Sequence, residues 1–413
     1  MTRRPALLIG NRSFRLYWTA RTVSIAGSQI ARVALTVLVY QLGAGPVGVS
    51  VLLLALTVPR LLGPLAGVIV DRANNKRLMV ACDIAQAVLF AVLSFVRWWP
   101  ALIALVLAAT AFATLYQPAG RGNIPALVGR GRLTQANAQL AAGANGALAL
   151  GPAVGGILLA LAGTESALLV NAATFLFSAA LTLGVRGLRG AAGPVGPHGP
   201  MTLFGQARAG LGVVWRNRVA RAVAIMLLPG VAFASLDNAA LIFLVRSGLH
   251  ARAGAYAWVV TAYSVGMVGL PLLLGASGRR FDARRLLLGG EGVFGAGTLA
   301  TGLAPGLAVG IGAQVAAGAG NGMENIGVDT LLQESAPDEQ LGMVFGTVYA
   351  AACAGQIAAY LLAAPVIAAI GPRGTFLLAG AGVLAALSCL AWLLPSRQPA
   401  RAGEAGQVGE VSE

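Results

Sequence analysis

The chain has 413 residues, 57% of them hydrophobic and only 10% charged. Soluble chains are about a quarter charged, so a water-borne globular enzyme is excluded. Apolar runs near 20 residues recur along almost the whole length, which is the mark of a polytopic helical membrane protein. Strands of alternating polarity, as a membrane β-barrel needs, are not seen. In chain order the apolar runs predict spans near 14–41, 47–70, 77–97, 100–118, 138–162 and 166–186. A second set follows near 219–245, 253–276, 285–304, 307–331, 340–370 and 373–395. The expectation is an all-α membrane protein of twelve transmembrane helices in two pseudo-symmetric six-helix halves, 1–186 and 219–395. Between them, 187–218 reads as a cytoplasmic linker with a short interfacial helix carrying Leu203, Phe204, Leu211 and Trp215 at helical spacing. The tail 396–413 has the composition of a disordered segment.

The formal charge of +15 suggests nucleic acid at first sight, but its placement says otherwise. Only Arg97, Arg246, Arg252 and Arg373 fall on one side of the predicted spans, and Arg21, Arg32 and Arg60 lie within them. The other basic residues gather on the opposite side, which the positive-inside rule makes cytoplasmic, with both termini. Cys82, Cys353 and Cys389 all lie in apolar segments, as buried thiols do, and give neither a disulfide framework nor a metal site.

The halves repeat each other. ALTVLVYQLG at 34–43 matches ALIFLVRSGL at 240–249, an offset of 206. GVIVDRANNKRLMVACD at 67–83 matches GASGRRFDARRLLLGGE at 275–291, an offset of 208. Internal duplication is a common construction of secondary transporters, whose substrate sites lie near the midplane between repeats.

Two motifs add detail. Gly67, Asp71, Arg72, Lys76 and Arg77 form a loop between spans 2 and 3, and Glu334, Asp338 and Glu339 make the loop before span 11 acidic. Together these loops form a candidate cytoplasmic gate, or else they only set topology and start a helix. Gly151-Pro152-x-x-Gly155-Gly156, with Gly143 and Gly146 upstream, crowds helix breakers into span 5. In lipid, small residues let helices pack closely, and neighbours absorb the defect at a proline.

The first motif resembles the signature loop of the major facilitator superfamily, and the second resembles the fifth-span motif of its drug:proton antiporters. NRSFRLYW at 11–18, VPRLLGPLAGVIVDR at 58–72 and YQPAGRGNIPALV at 116–128 are similar to the branch of bacterial macrolide and siderophore exporters. The resemblance implies a monomeric inner-membrane transporter that exports amphipathic drug-, antibiotic- or siderophore-like molecules by alternating access in exchange for protons. An importer, a proton-uncoupled facilitator and a non-transporting sensor are the alternatives. No P-loop, metal cluster or nucleophile–base pair is present in the sequence, so no cofactor and no enzyme activity are expected.

Ionisable groups inside spans are costly and therefore functional candidates. Arg32 shares one face of span 1 with Ser28, and Asp237 and Asn238 on span 7 stand near its repeat position, so an Arg32–Asp237 interaction is expected. Span 10 carries Asn321, Glu324, Asn325 and Asp329, with Glu324 the first candidate for proton coupling and Asp329 the second. Asp83 and Glu291 hold equivalent positions in spans 3 and 9 and are expected to pair with loop arginines.

Overall fold

The computed structural model describes residues 10–63, 66, 70, 73–121, 123–188, 203–252, 254–277 and 281–393, and among these it is helical throughout, with no strand. The first half contains α1 (Arg12–Gln41), α2 (Gly45–Thr57, continued by a 3-10 turn over Val58–Leu62), α3 (Asn75–Leu93), α4 (Trp99–Arg121) and α5 (Leu133–Gly184). The connecting helix α6 (Leu203–Arg216) follows. The second half contains α7 (Arg218–Phe243), α8 (Ala255–Ala276), α9 (Ala283–Leu303), α10 (Leu307–Ser335) and α11 (Asp338–Leu393).

Helix starts obey the repeat. Asn11 caps α1 through the Phe14 amide, and its own side-chain amide donates to the Leu127 carbonyl at 2.8 Å. Asn217, 206 positions on, caps α7 and donates to the Ser335 carbonyl, also at 2.8 Å. Asn74 caps α3, and Asp282, 208 positions on, caps α9. Each cap satisfies an amide that the first helical turn leaves without a partner.

Both long rods fold back at a glycine. Before Gly163, Gly143 of α5 lies against Trp18 and Thr22, and Gly151 and Gly155 lie against Gln29 and Ile30, so this part runs parallel to α1. After it the direction reverses, with Gly27 against Thr174 and Gly184 against Leu16. Gly163 has φ +78°, which a side chain resists, and Gly371 in α11, 208 positions on, has φ +70°. The predicted boundaries at 162–166 and 370–373 fall on these two residues. Eight helical segments among the described residues are long and apolar enough to cross a membrane, and two of them contain these reversals.

Among the described residues the cores of the two halves join at one end. A single apolar cluster there unites Leu35, Leu52 and Leu168 of the first half with Ile242, Tyr360 and Phe376 of the second. At the opposite end, where α1 begins, the cores are separate. Phe14, Tyr17 and Met79 pack in the first half, and Val223, Leu287 and Leu390 in the second. The glycine–proline stretch of α5 serves the joined region. A Cβ at Gly151 would stand 2.6 Å from Gln29 Cβ, and one at Gly156 would stand 2.5 Å from Ala257 Cβ on α8. Span 5 is therefore pressed between its own half and the other, while Gly146 faces open space.

The joined end also carries two ties of unequal strength. Arg97 pairs with Glu165, but both side chains are about half exposed (45% and 57%). Arg373, 208 positions after Glu165, instead donates to the Gly302 carbonyl at 3.1 Å and the Gly248 carbonyl at 2.9 Å, closing the ends of α9 and α7. Hydrogen bonds to charged groups contribute about 1.5–3 kcal/mol when shielded, whereas exposed pairs give about 0–1. Arg373→Ala is therefore expected to lower the unfolding temperature in detergent clearly more than Arg97→Ala, and equal shifts would contradict this ranking.

Candidate functional site

At mid-height of the first half lies a cavity of about 510 Å³. Its walls are α1, α2, α3 and α4, with Phe175 from the returning part of α5, and among the described residues Gln356 of α11 is its one lining residue from the second half. Phe90 and Phe175 stack within it at 5.7 Å. Thr57, Thr110 and Thr114 line it, and each donates its hydroxyl proton to a carbonyl four residues back in its own helix. Among the described residues the two charges in the wall are Arg32 and Arg60, whose guanidinium groups are near enough to repel one another.

The second half holds a different constellation. Glu291 of α9 and Glu324 of α10 are both buried and stand within hydrogen-bonding reach of each other. Asn321 donates to Glu324 Oε2 at 3.1 Å, and Asn325, which is exposed, donates to Asn321 Oδ1 at 3.3 Å. A ladder of amides thus leads from an exposed position to the carboxyl pair. Among the described residues, Glu291 Oε2 has no hydrogen-bond partner. Tyr263 and Tyr349 are the other titratable side chains within electrostatic reach of Glu324.

The repeat makes this pair unusual. In the first half Asp83 accepts a 2.8 Å hydrogen bond from Ser178, and Arg21 lies over the neighbouring Tyr116 ring. Counting 208 positions on, Asp83 becomes Glu291, Tyr116 becomes Glu324 and Ser178 becomes Ala386. The place of Arg21 falls in the apolar run Leu227–Pro229. One half sets a serine and an arginine about its buried carboxyl, and the other puts a second carboxyl in place of the tyrosine and no basic residue in the place of the arginine. Among the described residues neither Asp83 nor Glu291 forms the ion pair with a loop arginine that the sequence led us to expect: Ser178 donates to Asp83 Oδ2 while Asp83 Oδ1 has no partner, and Glu291 faces another acid.

The sequence pattern of the family described as transmembrane secretion effector matches residues 8–404. This chain belongs to the major facilitator superfamily. The transporter is 26% identical over 352 residues to the uncharacterized MFS-type transporter YfiS of Bacillus subtilis (strain 168), covering 82% of each chain. Its fold is that of the nucleoside transporter NupG, with a TM-score of 0.72 at 12% identity over 94% of this chain and 100% of that one. A bacterial homologue of the iron transporter ferroportin gives 0.69 at 15% identity, covering 92% of this chain and 98% of that one.

The other predicted residues of the transporter fall as follows. Ser28 lines the cavity beside Arg32, its hydroxyl turned to the Ser24 carbonyl. Asp237 is buried and accepts from Asn238 at 3.0 Å, and among the described residues it forms no ion pair with Arg32. Asp329 accepts from the Tyr349 hydroxyl at 2.6 Å. Of the gate residues, Gly67, Asp71 and Arg72 lie outside the described residues. Lys76 donates to the Val185 carbonyl at 2.9 Å within its own half, Arg77 gives its amide to the Asn74 cap, and Glu334 is exposed near the end of α10. Asp338 and Glu339 begin α11. Arg60 was the residue sequence reasoning passed over as a site, though its signal was present: a basic residue inside an apolar span, as with Arg32.

Proposed function

We propose that this transporter exports amphipathic small molecules in exchange for protons by alternating access of its two halves. One arrangement carries the reading. A cavity with apolar and polar walls stands in the first half. The described cores of the two halves join at one end and part at the other, and the second half holds a buried carboxyl pair that forms no ion pair among the described residues. Two carboxyls in contact share a proton more readily than both carry charge. The amides of Asn321 and Asn325 give that proton a polar route. The cavity is the seat for the cargo, and rocking about the joined end would expose it to each side in turn. The match to a family described by secretion supports the outward direction.

The test uses purified protein in vesicles loaded at acid pH with a pH-sensitive dye. Adding amphipathic compounds should release protons, and cells producing the protein should hold less of the same compound than cells without it. Compound flux with no proton movement would make the protein a facilitator. Accumulation in cells would make it an importer. Binding with neither flux would make it a sensor.

A further inference from the structure

We propose that the cavity beside α1 and α2 binds an amphipathic organic anion, with Arg32 and Arg60 holding its charged group. The inference deepens the transport reading, on which it rests only for the claim that the bound anion is cargo. Arg32 and Arg60 both line the cavity, and among the described residues neither forms an ion pair. Among the described residues no carboxylate lines the wall. Arg60 is exposed and Arg32 half-buried, and two guanidiniums that repel one another at a cavity within a membrane-spanning fold form an uncompensated site, because a charge inside such a fold without a partner is expensive. A shared carboxylate or phosphate oxygen would turn that repulsion into two charge-assisted hydrogen bonds.

The remaining polar groups agree with this. The threonine hydroxyl protons are committed to their own helices, so the donors left to a ligand among the described residues are the guanidiniums, the amides of Gln29 and Gln117, and the second amide hydrogens of Gln86 and Gln356. In the same cavity Leu35 and Leu56, each one turn from an arginine, and the stacked Phe90 and Phe175 offer apolar surface for a ring or short chain. An ammonium ligand would add a third positive charge with no acid to meet it. The chemistry therefore selects a compact apolar body bearing one anionic group.

The experiment measures equilibrium binding to the full chain in phosphatidylcholine nanodiscs by calorimetry. The probes are 1-naphthoate, 1-naphthamide and 1-naphthylmethylammonium, matched in size. Naphthoate should bind at least about tenfold tighter than the amide, a factor one charge-assisted contact supplies, with the ammonium weakest. Arg60→Gln and Arg32→Gln should each bring naphthoate down to the level of the amide, and Arg60→Lys should keep part of the preference. Adding phosphatidylglycerol distinguishes the source of the anion. Weakened naphthoate binding means a lipid headgroup enters the same site, and unchanged binding means the site takes a soluble anion. Preference for the ammonium, no preference for the anion, or no anion binding by the folded protein overturns the assignment. Binding is read without a gradient, so this inference can fail while proton exchange survives, and the reverse.

Discussion

Glu324→Gln is expected to make substrate affinity independent of pH, whereas the unaltered protein's affinity should change by about 5–150-fold, the range of ordinary coupling free energies. Exchange requires that proton and substrate oppose each other, so affinity in the unaltered protein falls as pH falls. Linkage is reciprocal: a substrate that expels the proton must be expelled by it equally. Glutamine keeps the size of Glu324 and its contacts with Asn321 and Glu291 but binds no proton in this range. Glu291→Gln should give the same result. Asp83→Asn should not, because the groups acting on Asp83 are Ser178 and Arg21 and not a second acid with which to share a proton; its cost is stability, about 1–3 kcal/mol for a disturbed buried hydrogen bond. Equilibrium binding in mildly acidic and mildly alkaline buffer separates the three variants. Persistence of the pH effect in both glutamine variants, with its loss in Asp237→Asn or Asp329→Asn, would move the proton site to that residue.

Gly318→Leu is expected to prevent the second half from assembling. A Cβ at Gly318 of α10 would overlap the Tyr263 carbonyl of α8, and one at Gly322 would overlap the Met267 carbonyl. The opposite face of α10 is as tight, since a Cβ at Gly327 would lie 2.5 Å from the Leu287 amide of α9. The helix is thus held between two backbones, the close approach small residues permit where lipid gives no hydrophobic drive for helices to meet. Overpacking costs about 1–3 kcal/mol where neighbours can yield and more where the obstacle is main chain. The measurement is the yield of monodisperse protein after extraction. Gly312→Leu, on the same helix but facing open space, is the control and should purify normally. Equal yields from both variants would show that α8 and α10 do not meet at Gly318.

Much of this arrangement was legible in the sequence because it follows from local chemistry. Apolar length placed the helices, Gly163 and Gly371 fell at predicted breaks, and the crowded glycines of span 5 announced a close approach. Arg32 and Glu324 stood out because an ionisable group in an apolar span is rare. The partners were harder to read. Nothing in the local pattern says that Glu291 meets Glu324, 33 positions away, because the contact depends on how α9 packs on α10. Its likeness to Asp83 even pointed to an equivalent role, and only the change of Tyr116 to Glu324 and of Ser178 to Ala386 carries the distinction. That signal was available in the offset of 208, at positions where the two halves differ. Arg32 and Asp237 illustrate the converse: repeat position suggested a pair, yet each side chain meets other neighbours.

The cavity belongs almost wholly to the first half, and the carboxyl pair to the second. Duplicated copies have thus parted in kind as well as in sequence. The consequence is evolutionary. Substitutions that reshape the wall around Phe90, Thr110 or Gln117 need not disturb Glu291 or Glu324, so a lineage could change the cavity while the paired acids stayed fixed. Close relatives should therefore diverge most in the walls of one half and least in the paired acids of the other.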